Sequence, residues 1–323
     1  MKAVIQESYG GADTLELREV PVPSPRRGEV LVRVRAAGID RGTWHLMAGM
    51  PLVMRLGFGL RGPRQPTPGR DLAGIVEAVG EGVTRFAKGD AVYGTGHGSL
   101  AEFARAREDR LAAKPVSLSF EQAAAVPVSA LTALQALRNA GRVAPGQTVL
   151  VIGASGGVGT YAVQLAKAFG AEVTGVCSTT KVDLVRSLGA DHVIDYTRSD
   201  LDDDARQYDL VLDIAGNRPV ARLRRLLTPT GTLVIVGGEG GDRWTGGMQR
   251  QLGAVALSPL VRHRLAMLLS RENSADLVTL ADLADQGAFR PAIDRTFTLD
   301  SAAKAMHHLE AGHARGKVVV QVA

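Results

Sequence analysis

A glycine-rich turn between a strand and a helix constrains the fold of this chain more than any other feature. Val149 to Ile152 form an apolar, mainly β-branched run that is typical of a buried parallel strand. The glycine-rich stretch 153–159 follows, and an amphipathic helical pattern continues to Phe169. A strand, a turn and a helix in this order bring backbone N–H groups to one helix N-terminus, which favours a phosphate or pyrophosphate.

The glycines of this turn match a dinucleotide-binding pattern in part. Gly156 and Gly159 stand at its second and third glycine positions, whereas Ala154 stands at the first. Such a pattern alone is a weak signal, because any tight strand-to-helix turn can produce it. Here a strand precedes it and a helix follows it, and we therefore favour nucleotide binding.

Strands and helices continue to alternate after the turn. This alternation predicts a doubly wound parallel sheet of the α/β class, whose ligand crevice lies at the carboxyl ends of the strands. The predicted strands are Glu172–Cys177, His192–Tyr196, Asp209–Ile214 and Thr232–Gly237, and the predicted helices are Lys181–Leu188 and a segment that ends at Leu227.

The end of the second predicted strand indicates which nicotinamide cofactor binds. An NAD site usually has Asp or Glu about 20 residues beyond the glycine turn, where it accepts hydrogen bonds from ribose hydroxyls. Residues 177–181 (Cys-Ser-Thr-Thr-Lys) contain no acid, and their hydroxyl and ammonium groups suit a 2′-phosphate. NADPH is therefore predicted over NADH, although an ordinary turn with a helix cap before Lys181 would look the same.

Composition and charge exclude several classes of protein. A chain of 323 residues, 45% hydrophobic and with a mean hydropathy of +0.04, suits two globular domains. No run of about 20 apolar residues occurs, and residues 1–6 resemble a strand rather than a signal peptide, so we expect a cytoplasmic protein without a membrane span. The net charge is +5 with scattered basic residues, so nucleic-acid binding is not expected.

Two local features have simple structural interpretations. Arg55, Arg61, Arg64 and Arg70 crowd one segment, which we interpret as a solvated loop. Cys177 is the single cysteine, so an internal disulfide and a cysteine-rich zinc site are excluded. At the end of a predicted buried strand it suits packing as a small hydrophobic residue without a catalytic role.

The two ends of the chain have a different pattern from its middle. Residues 1–120 contain short strand patterns separated by Gly/Pro clusters, which predicts a β-rich domain. After a helix at about Leu299–Leu309, residues 316–322 form another strand pattern, and we infer that the chain returns to complete the first domain. The predicted N-terminal strands are Lys2–Gln6, Leu15–Val20, Glu29–Ala37, Ala73–Val79, Asp90–Tyr93 and Ser99–Ala106.

Several further motifs occur along the whole chain in a fixed order. Besides the glycine turn with Gln164–Lys167, they are residues 28–38 (GEVLVRVRAAG), 68–74 (PGRDLAG), 98–103 (GSLAEF), 125–132 (AVPVSALT), 188–196 (LGADHVIDY) and 316–319 (GKVV). By these motifs the chain resembles the medium-chain dehydrogenase/reductase superfamily, in its zinc-independent, quinone oxidoreductase-like branch. The resemblance implies a GroES-like catalytic domain from residues 1–122 and 292–323, and a Rossmann NADP(H)-binding domain at 123–291.

The zinc-ligand positions of that superfamily carry other residues in this chain. Its zinc-dependent alcohol dehydrogenases place Cys, then His-Glu, and usually another Cys at the catalytic metal. Here Asp40, Arg70, Asp71 and Val128 stand near those places, and guanidinium or isopropyl groups cannot ligate zinc. We therefore predict no metal. Without a Lewis acid, a quinone or α,β-unsaturated carbonyl is favoured as the acceptor, because its conjugation spreads the incoming charge.

The resemblance also implies the residues that contact substrate and cofactor. Asp40, Thr43 and His45 stand where quinone-reductase relatives have Asn, Asp and Tyr near the substrate. His45 could protonate an enolate, although a hydrogen-bonded structural histidine would look the same, and Asp40 is expected to orient a neighbour or a ribose hydroxyl. Ser178, Lys181 and Tyr196 stand where relatives contact the 2′-phosphate. The other implied cofactor-binding residues are Thr132, Ser155, Gly156, Gly157, Val158, Gly237 and Lys317.

These expectations define an NADPH-dependent reductase of quinones or α,β-unsaturated carbonyls. The alternatives are an enoyl-thioester or alkenal reductase, and a non-catalytic NADPH-binding protein. A homodimer is also expected, because the apolar strand Thr232–Gly237 comes late in the sheet order and relatives commonly join their Rossmann sheets across a two-fold axis. The apolar run 246–260 follows this strand and could cover part of the interface.

Overall fold

The computed structural model describes residues 1–203, 205–216, 218–237 and 241–322. By its contacts the chain divides into two compact units. The first contains Met1–Leu131 together with the chain from Glu272 onward, and the second is Thr132–Arg271. The predicted second boundary lay later, at 291/292. The contacts assign the intervening helix to the first unit, where the Tyr93 hydroxyl donates a 2.5 Å hydrogen bond to the carbonyl oxygen of Leu277.

Regular structure covers most of the described chain. The strands are β1 (Lys2–Ile5), β2 (Glu16–Glu19), β3 (Glu29–Ile39), β4 (Asp71–Val79), β5 (Ala91–Thr95), β6 (Phe103–Arg107), β7 (Leu111–Ala113), β8 (Thr148–Ile152), β9 (Glu172–Cys177), β10 (His192–Asp195), β11 (Tyr208–Asp213), β12 (Leu227–Ile235), β13 (Arg264–Met267), β14 (Ile293–Thr298) and β15 (Lys317–Gln321). The α-helices are α1 (Arg41–Ala48), α2 (Arg55–Phe58), α3 (Phe120–Ala124), α4 (Pro127–Gln135), α5 (Gly157–Ala168), α6 (Val182–Ser187), α7 (Val220–Arg225), α8 (Met248–Leu257), α9 (Ser274–Asp285) and α10 (Ala302–Glu310). Within the described part of the chain, no helix combines the length and apolar character that a membrane crossing requires.

A mixed, mainly antiparallel sheet forms the body of the first unit. Its strand order is β14-β15-β3-β4-β5-β7, and β6 also pairs with β3. Alternate residues of β3, among them Val30, Val32 and Val34, are fully buried in its core. Because β15 pairs antiparallel with β3, the returning C-terminal segment completes this sheet, as the sequence indicates.

The end of β3 positions the side chains that follow it. Gly38 lies where a Cβ atom would collide with the carbonyl oxygen of Ala124, at the end of α3. The same Cβ would lie 3.0 Å from the Cβ of Asp71, at the start of β4. A glycine is therefore needed for α3, β3 and β4 to approach each other here, directly before Asp40 begins the next helix.

A six-stranded parallel sheet forms the second unit. Its order is β10-β9-β8-β11-β12-β13, and every neighbouring pair is parallel. In chain order this is the 3-2-1-4-5-6 arrangement of a dinucleotide-binding fold, in which ligands bind beyond the carboxyl ends of β8 and β11. The predicted doubly wound sheet is confirmed.

The predicted position of Thr232–Gly237 at the edge of this sheet is wrong. Residues 232–235 of this stretch belong to β12, which lies between β11 and β13. The edge is β13, a four-residue strand with the sequence Arg-Leu-Ala-Met that lacks the long apolar run of the inner strands. The run 246–260 is mostly helix α8, with Met248, Leu252 and Val255 exposed.

Candidate functional site

The glycine turn of the second unit forms a compact cradle at the start of α5. Gly153 has a positive φ of 89°, and a Cβ atom on Gly159 would collide with the carbonyl oxygen of Gly153. Glycine at 159 therefore lets the first turn of α5 pack directly on the turn. Gly156 caps α5 without a side-chain hydrogen bond. The predicted residues Ser155, Gly156, Gly157 and Val158 thus lie at a helix N-terminus whose N–H groups suit a pyrophosphate.

Ala154 is accommodated at the first fingerprint position by a glycine in the neighbouring strand. Its side chain is fully buried, and a Cβ atom built on Gly175 of β9 would lie 3.0 Å from the Ala154 Cβ. The backbone N–H of Ala154 donates to the carbonyl oxygen of Val176 at 3.0 Å. The methyl group therefore fills space that Gly175 leaves open, and the turn keeps its close approach to β9.

The predicted 2′-phosphate residues lie at the carboxyl ends of two adjacent strands. Ser178 and Lys181 follow β9, and Tyr196, which is 55% exposed, follows β10. The Tyr196 N–H donates to the carbonyl oxygen of Cys177 at 3.1 Å, which joins the two strand ends. The structure therefore brings Ser178, Lys181 and Tyr196 to the carboxyl-end edge of the parallel sheet.

Asp195, at the end of β10, brings a carboxylate to the same edge. Its oxygens accept hydrogen bonds from the hydroxyls of Thr179, at 2.6 Å, and Thr197, at 2.7 Å. The Thr179 hydrogen bond is the main cause that lowers the pKa of Asp195, so the group is ionised. The sequence interpretation considered only the end of β9 and missed this acid.

Cys177 is enclosed at the end of β9. Its side chain is 2% exposed, and burial raises the pKa of the thiol to about 11. The predicted role in packing agrees with this position.

A buried ion pair lies at the carboxyl ends of β11 and β12. Asp213 is fully buried, and the Nη1 atom of Arg250, on α8, lies 2.6 Å from its Oδ2 atom. Burial raises the pKa of Asp213, and Arg250 opposes that rise. The same guanidinium donates to the carbonyl oxygens of Gly216 at 3.0 Å, Arg218 at 3.0 Å and Gly237 at 3.3 Å. Arg250 therefore holds the loops after both strands, including the predicted cofactor residue Gly237.

Thr132, another predicted cofactor residue, lies on α4. Its hydroxyl is 3.4 Å from the hydroxyl of Ser270, which follows β13. The interaction is long and weak by the usual geometry of O–H···O bonds. The predicted contact of Thr132 with the cofactor stays a prediction.

Asp40 begins helix α1 in the first unit. Its Oδ1 atom accepts hydrogen bonds from the Thr43 N–H at 2.8 Å and the Thr43 hydroxyl at 3.2 Å, which is the usual geometry of a helix N-cap. Thr43 itself is 1% exposed. Asp40 therefore orients a neighbour, and it fixes the start of the helix that carries the remaining candidate, His45.

His45 is tied to the end of the same helix. Its Nδ1 atom lies 2.9 Å from the carbonyl oxygen of Met50. A carbonyl only accepts, so Nδ1 carries the hydrogen of this bond and a proton would be gained or lost at Nε2. The ring also packs edge-on against Trp44, with centroids 4.9 Å apart. The geometry allows both the structural and the proton-donating interpretations of His45.

Lys317 and Asp71 form a second buried ion pair, inside the first unit. Both are at most 1% exposed, and the ammonium lies 3.2 Å from Asp71 Oδ2 and 3.0 Å from the Ser129 hydroxyl. Burial raises the pKa of Asp71 to about 6, whereas Lys317 and the N–H of Val128 oppose that rise. Asp40 Oδ2 lies 3.9 Å from the ammonium. Contact of Lys317 with a cofactor stays a prediction, and the structure adds that its ammonium is already bound to Asp71.

A pocket of about 390 Å³ lies in the first unit beside α1. Leu46, Met47 and Phe58 contribute apolar wall, and Arg70, His97 and Arg110 contribute polar groups. Its size is within the range of small-molecule sites. The pocket joins residues that are scattered between positions 6 and 110 of the chain, which explains why the sequence alone did not reveal it.

The segment that carries Arg55, Arg61, Arg64 and Arg70 was predicted to be a solvated loop, but two of these arginines make specific contacts. Arg70 lines the pocket and pairs with Glu272, and Arg55 lies over the ring of Tyr9, 4.6 Å from its centroid. His97 also lines the pocket, where burial and the nearby Arg110 lower its pKa. Arg70 and Arg110 both pair with Glu272, which is more than 150 residues away from each of them in the sequence. These pairings therefore left no local sequence signal.

Comparisons with known proteins match this chain to dehydrogenases and quinone oxidoreductases. The family model described as Alcohol dehydrogenase GroES-like domain matches residues 26–116, and the model described as Zinc-binding dehydrogenase matches residues 188–320. The chloroplast envelope quinone oxidoreductase homolog of Arabidopsis thaliana is 35% identical over 338 residues, with 99% of this chain and 98% of that protein covered.

Two further relatives indicate the range of acceptors in this group. The NADPH-dependent alkenal/one oxidoreductase of Arabidopsis thaliana, a chloroplastic protein, is 34% identical over 99% of this chain and 79% of its own length. The solved structure of the quinone oxidoreductase from Coxiella burnetii superposes with a TM-score of 0.85 at 29% identity, covering 100% of this chain and 99% of that one.

The residues at the family's zinc position do not fit a zinc ion. Arg70 is paired with Glu272, Asp71 is paired with Lys317, and Val128 offers only an isopropyl group. Thiolate, imidazole and carboxylate are the ligands that zinc requires, and a guanidinium would repel it. Among the residues that the structure describes, no group of three or more His, Cys, Asp or Glu side chains could hold a metal ion.

Proposed function

Because the chain belongs to the medium-chain dehydrogenase/reductase superfamily and its relatives are quinone oxidoreductases, we propose that it is an NADPH-dependent reductase of quinones or α,β-unsaturated carbonyls that works without a metal. The observation that carries this proposal is the N-terminus of α5 behind the glycine turn, which has no side-chain cap hydrogen bond, together with Ser178, Lys181 and Tyr196 at one sheet edge. The first feature suits a pyrophosphate and the second suits a 2′-phosphate.

Several of the predicted cofactor residues are assigned roles in this proposal. The N–H groups of residues 155–158 bind the pyrophosphate, and Lys181 supplies charge to the 2′-phosphate. Gly237 approaches the cofactor from the end of β12, held by Arg250. Cofactor contact of Thr132 and of Lys317 stays a prediction, and the Lys317 ammonium shares its charge with Asp71 and Asp40.

The first unit supplies the groups that control the proton. When bound, NADPH would supply a hydride: a C–H bond of its dihydronicotinamide ring would break as the new bond to the acceptor forms, and NADP⁺ would remain. Electrons of the conjugated acceptor move onto its oxygen, and a proton then completes the hydroquinone or the saturated ketone. We propose that His45 delivers this proton from Nε2, while Asp40 and Thr43 fix the helix that carries it.

The test is oxidation of NADPH in the presence of small quinones and enones, with zinc measured in the same preparation. We expect turnover with 1,4-benzoquinone or an alkenal, substoichiometric zinc, and activity that a chelator leaves intact. A bound equivalent of zinc that restores activity to the stripped protein would contradict the metal-free proposal. Absence of turnover with every acceptor, despite NADPH binding, would favour the non-catalytic alternative.

An alkenal or enoyl-thioester reductase is the second candidate. The alkenal/one oxidoreductase relative, at 34% identity, favours it. A higher kcat/KM for an alkenal or an enoyl thioester than for 1,4-benzoquinone would select this candidate.

Self-association and location are further parts of the proposal. We propose a homodimer in the cytoplasm, although chloroplastic names occur among the relatives. The exposed apolar residues of α8 beside the edge strand β13 support the dimer. Light scattering at micromolar concentration should give twice the 34.0 kDa chain mass, and the mass of one chain would contradict the dimer.

A further inference from the structure

The charged groups that line the pocket of the first unit all have the same sign. Arg64, Arg70 and Arg110 line it, and its described lining contains no Asp or Glu. His97, on the same wall, does not offset this charge. Apolar groups of Leu46 and Phe58 form another part of the wall. The pocket therefore combines a positive region with an apolar one.

Glu272 balances only part of this charge. Its Oε2 atom lies 2.9 Å from Nη1 of Arg110, and its Oε1 atom faces Arg70. The Glu272 side chain is 13% exposed, compared with 33% for Arg70 and 40% for Arg110. One carboxylate thus lies behind two more exposed guanidinium groups, and a net positive charge remains.

The two guanidinium groups retain donors for a second anion. A guanidinium has five N–H groups in a planar fork, and Arg110 uses its Nη1 group on Glu272. Planar carboxylates bind such forks with two parallel hydrogen bonds. Glu272 shows that a carboxylate can be bound by both arginines at once.

We propose that this pocket selects acceptors that carry a carboxylate beside the conjugated carbonyl group, with Arg70 and Arg110 as the specificity-determining residues. The inference rests on the proposed function for the nature of the acceptor. The carboxylate binds the guanidinium groups, and the apolar part of the acceptor packs on Leu46 and Phe58. A neutral acceptor of the same shape leaves the remaining positive charge unbalanced and binds more weakly.

The test uses a matched pair of acceptors, 3-benzoylacrylate and its primary amide, and their reduction products, 3-benzoylpropionate and 3-benzoylpropionamide. Calorimetry with the two products measures binding without turnover. We expect the wild type to bind the carboxylate product about tenfold or more tightly than the amide, and to show the same preference in kcat/KM. Equal affinity for the two products would overturn the proposal.

Three variants and a control locate the preference. Arg70→Gln and Arg110→Gln should each lower the carboxylate-to-amide ratio about tenfold, whereas Glu272→Gln should raise it by removing the competing negative charge. Arg107→Gln is the matched control, because Arg107 pairs with Asp109 outside the pocket. An unchanged ratio in Arg70→Gln and Arg110→Gln would overturn the proposal, as would a lowered ratio in the control.

Binding and turnover separate this inference from the proposed function. A carboxylate preference in product binding, without NADPH oxidation by any acceptor, would remove the proposed function and keep the anion-selective pocket. NADPH-dependent turnover of quinones with no carboxylate preference would keep the proposed function and remove the pocket's selectivity.

Discussion

Two buried ion pairs, one in each unit, place the same charges in different settings. Lys317 and Asp71 are both strand residues, at most 1% exposed, and they belong to the interior of the first unit. Arg250 lies on a surface helix with 16% of its side chain exposed, and it reaches down to the fully buried Asp213. The first pair also binds the Ser129 hydroxyl, whereas the second pair also binds three loop carbonyl groups.

The difference separates two uses of a buried charge. A lysine carries a compact charge and satisfies one buried carboxylate within a packed core. An arginine carries a fork of donors, which can bind a carboxylate and several carbonyl oxygens at once. We therefore expect the first pair to govern stability of its unit, and the second to govern the shape of the loops beside the cofactor.

The largest expected effect is loss of stability in Lys317→Met. Removal of the ammonium leaves Asp71 buried without its cation, which should lower the free energy of unfolding by about 3–5 kcal/mol near neutral pH. Urea unfolding measures this change. The double variant Asp71→Asn/Lys317→Met is the control and should be more stable than Lys317→Met alone.

This deficit should depend on pH in a defined direction. Burial already raises the folded-state pKa of Asp71 to about 6, and without Lys317 it rises further. The protonated carboxyl is therefore favoured in the folded state, and its stabilisation is lost as the pH rises through the folded-state pKa. The deficit of Lys317→Met should be largest near pH 7.5 and smaller near pH 5. Equal deficits at both pH values would contradict the assigned pairing.

The next effect concerns Arg250. Arg250→Met should lower the free energy of unfolding by about 2–3 kcal/mol, because Asp213 loses its cation while partial exposure of the site lessens the cost. It should also weaken NADPH binding, since the loops at Gly216 and Gly237 lose their anchor. Arg250→Lys restores the charge but not the fork, so it should recover stability more than cofactor affinity. Parallel recovery of both would show that the two ion pairs act alike.

A smaller effect is expected at Lys181. Lys181→Ala should weaken NADPH binding about tenfold or more, because one charged hydrogen bond to the 2′-phosphate contributes about 1.5–3 kcal/mol. NADH binding should barely change, and Lys304→Ala, in an exposed position of α10, should alter neither. Fluorescence titration of the wild type and both variants with each cofactor measures the six dissociation constants. Equal affinity of the wild type for NADH and NADPH would contradict the cofactor assignment.

The smallest effect is expected at Asp195. Asp195→Asn removes a carboxylate beside the predicted 2′-phosphate site and should tighten NADPH binding about two- to threefold at low ionic strength. NADH binding should stay constant in the same titration. Weaker NADPH binding would instead mean that Asp195 mainly positions Thr179 and its neighbours.

Local patterns predicted the fold well, whereas tertiary pairings escaped prediction. The strand Glu172–Cys177 was predicted correctly because a buried strand shows an apolar run in the sequence. The glycine turn was predicted because all of its residues lie in one continuous segment. The edge strand β13 has no such run and was missed. Asp71 and Lys317 are separated by 246 residues, so their contact left no periodic signal. A charged residue at the end of the apolar strand β11, Asp213, was the one local hint that a buried cation lay nearby.

The position of Cys177 bears on how the protein would withstand the acceptors proposed for it. Quinones and enones alkylate thiolates, and the thiolate rather than the thiol is the reactive form. With a pKa of about 11 and 2% exposure, about one Cys177 side chain in ten thousand is ionised at pH 7, and it is shielded from reagents. The chain has no second cysteine. If the proposed function holds, the enzyme thus presents its acceptors with almost no nucleophilic sulfur.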